Sequence, residues 1–385
     1  MAPGEQYGTE ADRIMPTSDP ALPAQINTAS VPANGLSRRA LLTSVTFAVA
    51  ALALPEKLLA ATTAPATTPK AAGGSPAAAS MASDVSFVHP ELRAVATILS
   101  RNPATPQALN GVDLPLPSGV RRLSAPGLQG QPPVTVYLAN EVRGGPQRGV
   151  ILYMHGGGFI RGHALQGLDT HIAMAKRLNC VLVSVDYRLA PASPYPGAVN
   201  DCYAVLVWLY RNAVLLGLRR DRIALMGESA GGGLAAMLAL AARDRGNIRP
   251  CFQALIYPML DDRTGSKRPA PPNRGTFVWT ESDNRNGWSA HLGKKAGSAS
   301  VPEGAVPARA KSLAGLPPAW IGVGALDLFL DEDVDYAQRL MAAGVPAELL
   351  VIPGAFHGFQ RILPQASISK QFNAALEAAL ARALS

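Results

Sequence analysis

Short apolar segments alternate with longer helix-patterned segments along most of this chain. The strand-like segments are 134–139, 149–155, 181–187, 222–227, 254–260, 319–325 and 347–354. The helical patterns cover 84–99, 168–178, 200–216, 230–244, 331–343 and 367–384, and 100–131 is a Pro/Gly-rich connection. This alternation is typical of parallel strands joined by helices, and the near-continuous apolar strands indicate a sheet covered on both faces. The sequence therefore predicts an α/β fold with a mostly parallel central sheet.

A serine stands at the sharpest predicted corner of the chain. Gly227 to Gly231 read G-x-S-x-G, between the strand 222–227 and the helix 230–244. The two glycines permit a turn that is too tight for side chains at the flanking positions. Such a turn exposes the hydroxyl of Ser229 over the edge of the sheet, which makes Ser229 a candidate nucleophile. The amide of Ala230 points into the same space at a helix N-terminus.

The same segment also matches the dinucleotide fingerprint G-x-G-x-x-A, through Gly231, Gly233 and Ala236. A nucleotide site of that kind needs an acidic residue about 20 positions further on, at the end of the next strand. Asp244 lies inside the helix and Asp261 is 30 positions past Gly231. The fingerprint also leaves Ser229 without a role, so the sequence favours the nucleophile.

Three consecutive glycines follow the strand at 149–155. They sacrifice side-chain burial and backbone entropy, which is useful where backbone amides must approach a ligand closely. The run His155, Gly156, Gly157, Gly158 matches the HGGG motif, which supplies oxyanion donors from the loop after this strand. His155 is expected to brace the loop. The alternative is a glycine-rich turn without a catalytic role.

A candidate base and a candidate acid follow the last two strands. His357 lies in the loop beyond 347–354, and Asp327 comes just after 319–325. His357 could take the proton of Ser229, with Asp327 holding the imidazole in the required tautomer. Four further acids fit the first turns of a helix, where negative charge suits the dipole: Asp331, Glu332, Asp333 and Asp335. Four further histidines suit surface or capping roles: His89, His163, His171 and His291.

These motifs together resemble the hormone-sensitive-lipase-like carboxylesterases, bacterial family IV of the α/β-hydrolase superfamily. The resemblance runs from about Phe87 to the C-terminus and rests on HGGGF, VDYRLAP, GESAGGGLA, YPMLDDR and HGF. It implies a triad of Ser229, Asp327 and His357, in the chain order of α/β-hydrolases. It also implies an oxyanion hole formed by the amides of Gly157, Gly158 and Ala230.

The resemblance further implies a helical cap over the pocket, from about 84–131 and 264–300. Two departures from the family pattern stand out. Leu328 and Phe329 follow the triad acid where relatives often have Pro and Leu, and Ala192-Ser193 replaces a glutamate after YRLAP. The first leaves Asp327 in place, and the second removes an acidic residue that lies near the site in relatives.

The N-terminal residues have the layout of an export signal. Residues 37–39, Ser-Arg-Arg, precede the apolar run Ala40–Leu54, which is shorter than the about 20 residues of a membrane-spanning helix. We interpret 1–60 as a twin-arginine-like leader with a disordered first part, 61–83 as a low-complexity linker and 84–385 as the hydrolase domain. The expected location is periplasmic or secreted; the alternatives are an uncleaved membrane anchor and the cytoplasm.

The predicted function is that of a serine carboxylesterase acting on short-chain acyl esters through an acyl-enzyme, without cofactor or metal. The three cysteines lack zinc-ligand spacing, and the net charge of +8 is scattered rather than arranged as a basic groove, so no nucleic-acid partner is expected. The expected partner is a small-molecule ester, and a homodimer stays open. The alternatives are a deacetylase, amidase or carbamate hydrolase with the same triad, and a non-catalytic binding protein on this scaffold.

Overall fold

The computed structural model describes residues 85–101, 114–141 and 144–385. The predicted export leader and linker, 1–60 and 61–83, lie outside the described residues. Within the described part of the chain, no helix combines the length and apolarity needed to cross a membrane.

Eight strands form one sheet in the order β1-β2-β4-β3-β5-β6-β7-β8. β1 pairs antiparallel with β2, β2 pairs antiparallel with β4, and every other neighbouring pair is parallel. The prediction of a mostly parallel sheet is therefore confirmed. In chain order, the strands are β1 Val120–Ala125, β2 Val134–Ala139, β3 Arg148–Met154, β4 Val181–Asp186, β5 Leu218–Glu228, β6 Phe252–Ile256, β7 Ala319–Gly324 and β8 Ala347–Ile352.

Helices cover both faces of the sheet. They are α1 Arg93–Arg101, α2 Leu168–Arg177, α3 Gly197–Arg211, α4 Ala230–Arg245, α5 Glu281–Leu292, α6 Leu330–Ala342, α7 Phe359–Ile362 and α8 Ser367–Leu384, with short 3₁₀ turns at Pro90–Leu92 and Pro307–Arg309. Successive side chains of a strand point to opposite faces of the sheet, so each strand contributes to the apolar layer on both faces. In β3, Val150, Leu152 and Met154 belong to the apolar cluster that includes residues of α3, α4 and α6, whereas Ile151 and Tyr153 belong to the cluster that includes residues of α2 and α8.

Three local predictions need correction. Residues 120–125, predicted as connection, form the edge strand β1, whose central residues are only partly buried and therefore lack a strong apolar signal. The strand predicted over 254–260 ends at Ile256, because Tyr257 has a positive φ of 35° and Pro258 cannot donate to the ladder. The first helix begins at Arg93 rather than near residue 84, after a 3₁₀ turn that starts at Pro90.

Candidate active site

Ser229 occupies a strained turn between β5 and α4. Its backbone has φ 56° and ψ −121°, a conformation that side-chain-bearing residues rarely adopt. The turn is held by the Ser229 amide, which donates to Ile256 O at 2.9 Å, and by the Ser229 carbonyl, which accepts from the amides of Gly233 and Met259 at 3.0 Å each. The structure thus places the hydroxyl at the carboxyl end of the sheet, as the sequence predicts.

The glycines around Ser229 are required by close backbone packing. A Cβ at Gly227 would lie 2.1 Å from the carbonyl oxygen of Gly231, and a Cβ at Gly231 would lie 2.1 Å from that of Met154. A Cβ at Gly233 would lie 2.2 Å from the carbonyl oxygen of Met259. Packing of α4 against the neighbouring strands therefore explains the glycines that also fit a dinucleotide fingerprint.

The structure brings Ser229, Asp327 and His357 into one hydrogen-bonded chain. His357 Nδ1 donates to Asp327 Oδ2 at 2.8 Å, and Ser229 Oγ lies 3.1 Å from His357 Nε2. Because the buried carboxylate accepts from Nδ1, we assign the ring proton to that nitrogen, which leaves Nε2 free to accept from the hydroxyl. The three residues are at most 6% exposed. The arrangement can therefore remove a proton from Ser229 in a site largely shielded from water.

Aromatic rings enclose the imidazole of His357. Tyr257 and Phe329 meet it edge-on, with ring centroids 4.6 and 5.3 Å away, and Trp279 lies at 6.5 Å. The other oxygen of Asp327 accepts from the amide of Phe329 at 3.0 Å. Both ends of the His357–Asp327 hydrogen bond are thus held in place by packing or by the backbone.

The HGGG loop lies directly beside the nucleophile. A Cβ at Gly156 would lie 3.4 Å from Ser229 Cβ, and Gly157 and Gly158 have φ values of 131° and 62°. Among the described residues, no acceptor is assigned to the amides of Gly157, Gly158 and Ala230. Unpaired amides beside a nucleophile are the donors that a developing oxyanion needs.

His155 supports this loop rather than entering the site. Its ring stacks on Tyr187 at a centroid distance of 4.2 Å, and its Nδ1 lies 2.8 Å from the carbonyl oxygen of Gly156. The hydroxyl of Tyr187 donates to the His155 carbonyl at 2.5 Å. Burial lowers the pKa of His155 to about 4, so the ring is neutral at physiological pH.

The segment around α5 packs onto the glycine loop. A Cβ at Gly158 would lie 2.2 Å from the indole of Trp279, and a Cβ at Gly287 would lie 2.6 Å from the carbonyl oxygen of Gly158. Trp279 is buried and donates from Nε1 to Asn284 at 3.2 Å. This indole therefore limits the space above the loop.

Two histidines that the sequence assigns to the surface are buried. His291, on α5, stacks on Phe159 with centroids 4.2 Å apart, and burial lowers its pKa to about 3. His171, on α2, lies with its Nε2 3.2 Å from Glu228 Oε1. The surface interpretation is wrong for both. The sequence does not indicate their burial, because Phe159 and Glu228, which they contact, lie far away along the chain. His89 does cap a helical turn, as predicted, by accepting from the amide of Glu91.

Two of the four acids at the start of α6 are likewise buried, whereas Asp331 and Asp335 lie at the surface. Glu332 accepts from the amides of Leu260 and Asp261 at 2.6 and 3.1 Å. Asp333 has no hydrogen-bond partner for either carboxylate oxygen among the described residues. Burial, together with the charges of Glu332 and Asp327, raises the pKa of Asp333 well above its usual range.

The described residues contain no cluster of three or more potential metal-ligating side chains. Cys180, Cys202 and Cys251 are free thiols rather than disulfide partners. Burial raises the pKa of Cys180 to about 12 and that of Cys251 to about 11, so neither thiol is poised as a nucleophile.

The chain matches a model of the alpha/beta hydrolase fold over residues 151–361. It is 36% identical to esterase LipI of Mycobacterium tuberculosis, over 54% of this chain and 65% of that protein. It is 33% identical to ethyl acetate hydrolase of Pseudomonas putida, over 55% and 66% of the two chains. Its match thus spans just under two thirds of each of these curated relatives.

A solved structure titled bacterial heroin esterase superposes with a TM-score of 0.67 at 35% identity, covering 78% of this chain and 98% of that one. The chain therefore belongs to the α/β-hydrolase fold family, and the predicted resemblance to hormone-sensitive-lipase-like esterases is confirmed. The two curated relatives are named as an esterase and an ester hydrolase.

Proposed function

We propose that this protein is a serine carboxylesterase in which Ser229 is the nucleophile, His357 the general base and Asp327 its orienting acid. The observation that supports the proposal most strongly is the hydrogen-bonded chain from Ser229 Oγ through His357 to Asp327, beside the glycine loop. Its side chains come from three loops that follow β5, β7 and β8, so only the fold brings them together.

The reaction follows from this geometry. Ser229 Oγ attacks the ester carbonyl carbon while His357 Nε2 takes the hydroxyl proton, and Asp327 stabilises the imidazolium that forms. The amides of Gly157, Gly158 and Ala230 receive the oxyanion of the tetrahedral intermediate. His357 then donates its proton to the departing alcohol, which leaves an acyl group on Ser229. A water molecule activated by His357 releases the acid and restores the hydroxyl.

Short acyl esters fit the site best. The indole of Trp279 lies against Gly158 and faces His357, so the space above the reacting atoms is limited by a large and well-held side chain. One relative is named for hydrolysing ethyl acetate, a small ester. We therefore expect activity on p-nitrophenyl acetate and butyrate to exceed activity on long-chain esters.

The test replaces Ser229 with alanine in the full chain. Ser229→Ala should abolish turnover of p-nitrophenyl acetate and butyrate, because the remaining residues offer no hydroxyl at the end of the His357 hydrogen bond. Circular dichroism and thermal unfolding should show that the variant stays folded. Undiminished turnover by folded Ser229→Ala would overturn the proposal.

A further inference from the structure

A charged cluster of Glu228, His171 and Arg361, of which Arg361 is half-buried and the other two are buried, lies beside the nucleophile. Glu228, the residue before Ser229, is 4% exposed. Its Oε2 accepts from Arg361 Nη1 at 2.7 Å, and its Oε1 lies 3.2 Å from His171 Nε2. Burial opposes ionisation of Glu228, but the Arg361 charge and the His171 hydrogen bond outweigh it and lower the pKa of Glu228 to about 2. The carboxylate is therefore charged in the folded protein.

This cluster joins two of the three segments that carry the reacting side chains, those of Ser229 and His357. Glu228 ends β5 and precedes the nucleophile turn, whereas Arg361 lies on α7, four residues after His357. The amides of Arg361 and Ile362 both donate to the carbonyl of Gly358, at 3.0 and 3.2 Å, so α7 follows the base with little slack. A shift of Arg361 relative to Glu228 would therefore be transmitted to the imidazole.

The residue next to Arg361 contacts the aromatic ring that packs on His357. Gln360, beside Arg361, donates to the hydroxyl of Tyr257 at 2.6 Å, and the Tyr257 ring contacts the imidazole. Gly167, at φ 65°, leaves the space that the guanidinium occupies, since a Cβ there would lie 2.5 Å from Arg361 Nη2. The lack of a side chain at Gly167 thus leaves room for the guanidinium group of Arg361.

We propose that Glu228 and Arg361 are positioning residues, whose ion pair sets the distance between Ser229 Oγ and His357 Nε2. The proposal rests on the proposed esterase function. Neither side chain reaches the reacting atoms; both act through the backbone segments that they join. A displacement of about 1 Å at a reacting pair can cost about 100-fold in rate, so the ion pair has a measurable kinetic effect.

The experiment compares Glu228→Gln and Arg361→Gln with a matched control pair. Arg188 and Asp201 form an ion pair of nearly equal exposure, 32% and 3% against 31% and 5%, on segments that carry none of the three reacting side chains. With p-nitrophenyl acetate, each variant of the Glu228–Arg361 pair should lose about 100-fold in kcat and in kcat/KM. Asp201→Asn and Arg188→Gln should lower the melting temperature but keep kcat within threefold.

The pH profile separates positioning from a merely structural role. Without Glu228, the unpaired Arg361 cation opposes the imidazolium of His357, so the acid limb of kcat/KM should move to lower pH. Without Arg361, the unpaired Glu228 carboxylate favours the imidazolium, so the acid limb should move to higher pH. In the double variant, both charges are gone, so the acid limb should return to its original position, whereas kcat should stay low because the ion pair that sets the distance is still absent.

Kinetics like those of the control pair, with an unmoved acid limb, would overturn the proposal. A phosphonate titrant should still label one serine per chain in every folded variant, which shows that the nucleophile itself remains. If Ser229→Ala kept its activity, the esterase assignment would fail. If Ser229→Ala lost all activity while the Glu228 and Arg361 variants behaved like the controls, only the positioning role would fail.

Discussion

At the scale of single residues, the site depends on backbone conformations that are unfavourable elsewhere. Ser229 is held at φ 56°, a strain on the order of 1–3 kcal/mol that its neighbours must offset. That conformation is fixed by the Ser229 amide, which donates to Ile256, and by the amides of Gly233 and Met259, which donate to the Ser229 carbonyl. Gly157, at φ 131°, plays the corresponding part in the glycine loop. The strain aims the hydroxyl and the amides at one point.

Gly157→Ala should therefore damage catalysis more than folding. Its Cβ would lie 1.9 Å from the carbonyl oxygen of Arg161, so the loop must move and carry its amides away from the oxyanion. We expect a loss of about 100- to 1000-fold in kcat for p-nitrophenyl acetate. Gly344→Ala is the control, because Gly344 has φ 75° with open space around its Cβ position. Equal kcat values for the two variants would contradict the role of the loop.

At the scale of elements, the start of α6 buries two carboxyl groups, and this burial lowers the stability of the folded protein. Its first turn buries Glu332, which accepts hydrogen bonds from the chain after β6, and the adjacent Asp333, which has no partner among the described residues. A buried carboxyl group without a hydrogen-bond partner takes up a proton, because burial of an unpaired charge costs much free energy. Folding then holds a proton that the unfolded chain releases at neutral pH.

Asp333→Asn should stabilise the protein increasingly as the pH rises. The folded pKa of Asp333 is raised, so the folded state binds the proton more tightly and the free energy of unfolding falls as the pH climbs above the unfolded pKa of about 3.9. Each unit of difference is worth about 1.4 kcal/mol. Asparagine is neutral in both states and removes this dependence.

Urea unfolding of both proteins from pH 5 to pH 8 measures the effect. The gain from Asp333→Asn should be larger at pH 8 than at pH 5. Asp335→Asn, at an exposed position of α6, should change the free energy of unfolding by less than about 0.5 kcal/mol throughout. A gain from Asp333→Asn that does not vary with pH would contradict the account.

At the scale of the whole molecule, the sequence predicts those features that depend on a pattern within one short segment. The parallel strands can be predicted because both of their faces are buried, which gives continuous apolar segments. Ser229, Asp327 and His357 can be predicted because each follows such a strand. Strand β1 was not predicted, because it lies at the edge of the sheet and its partly exposed side chains give no continuous apolar segment. The export leader stays a prediction.

The charged cluster beside the nucleophile could not be predicted in the same way. Glu228 and Arg361 are 133 positions apart, and neither position has a local pattern that identifies its partner. An isolated acid before the nucleophile and an arginine after HGF are ordinary surface residues by sequence alone. Only the fold, which brings α7 next to the end of β5, makes them neighbours.

The central claim is that Ser229 carries the acyl group during turnover. Rapid mixing with p-nitrophenyl acetate should give a burst of one p-nitrophenol per chain, if deacylation is the slower step, and acid quenching should trap the acyl-enzyme for mass spectrometry. We predict one acetyl group, on the peptide that contains Ser229, and none on Ser229→Ala. An acetyl group on another residue, with Ser229 unmodified during turnover, would contradict the account.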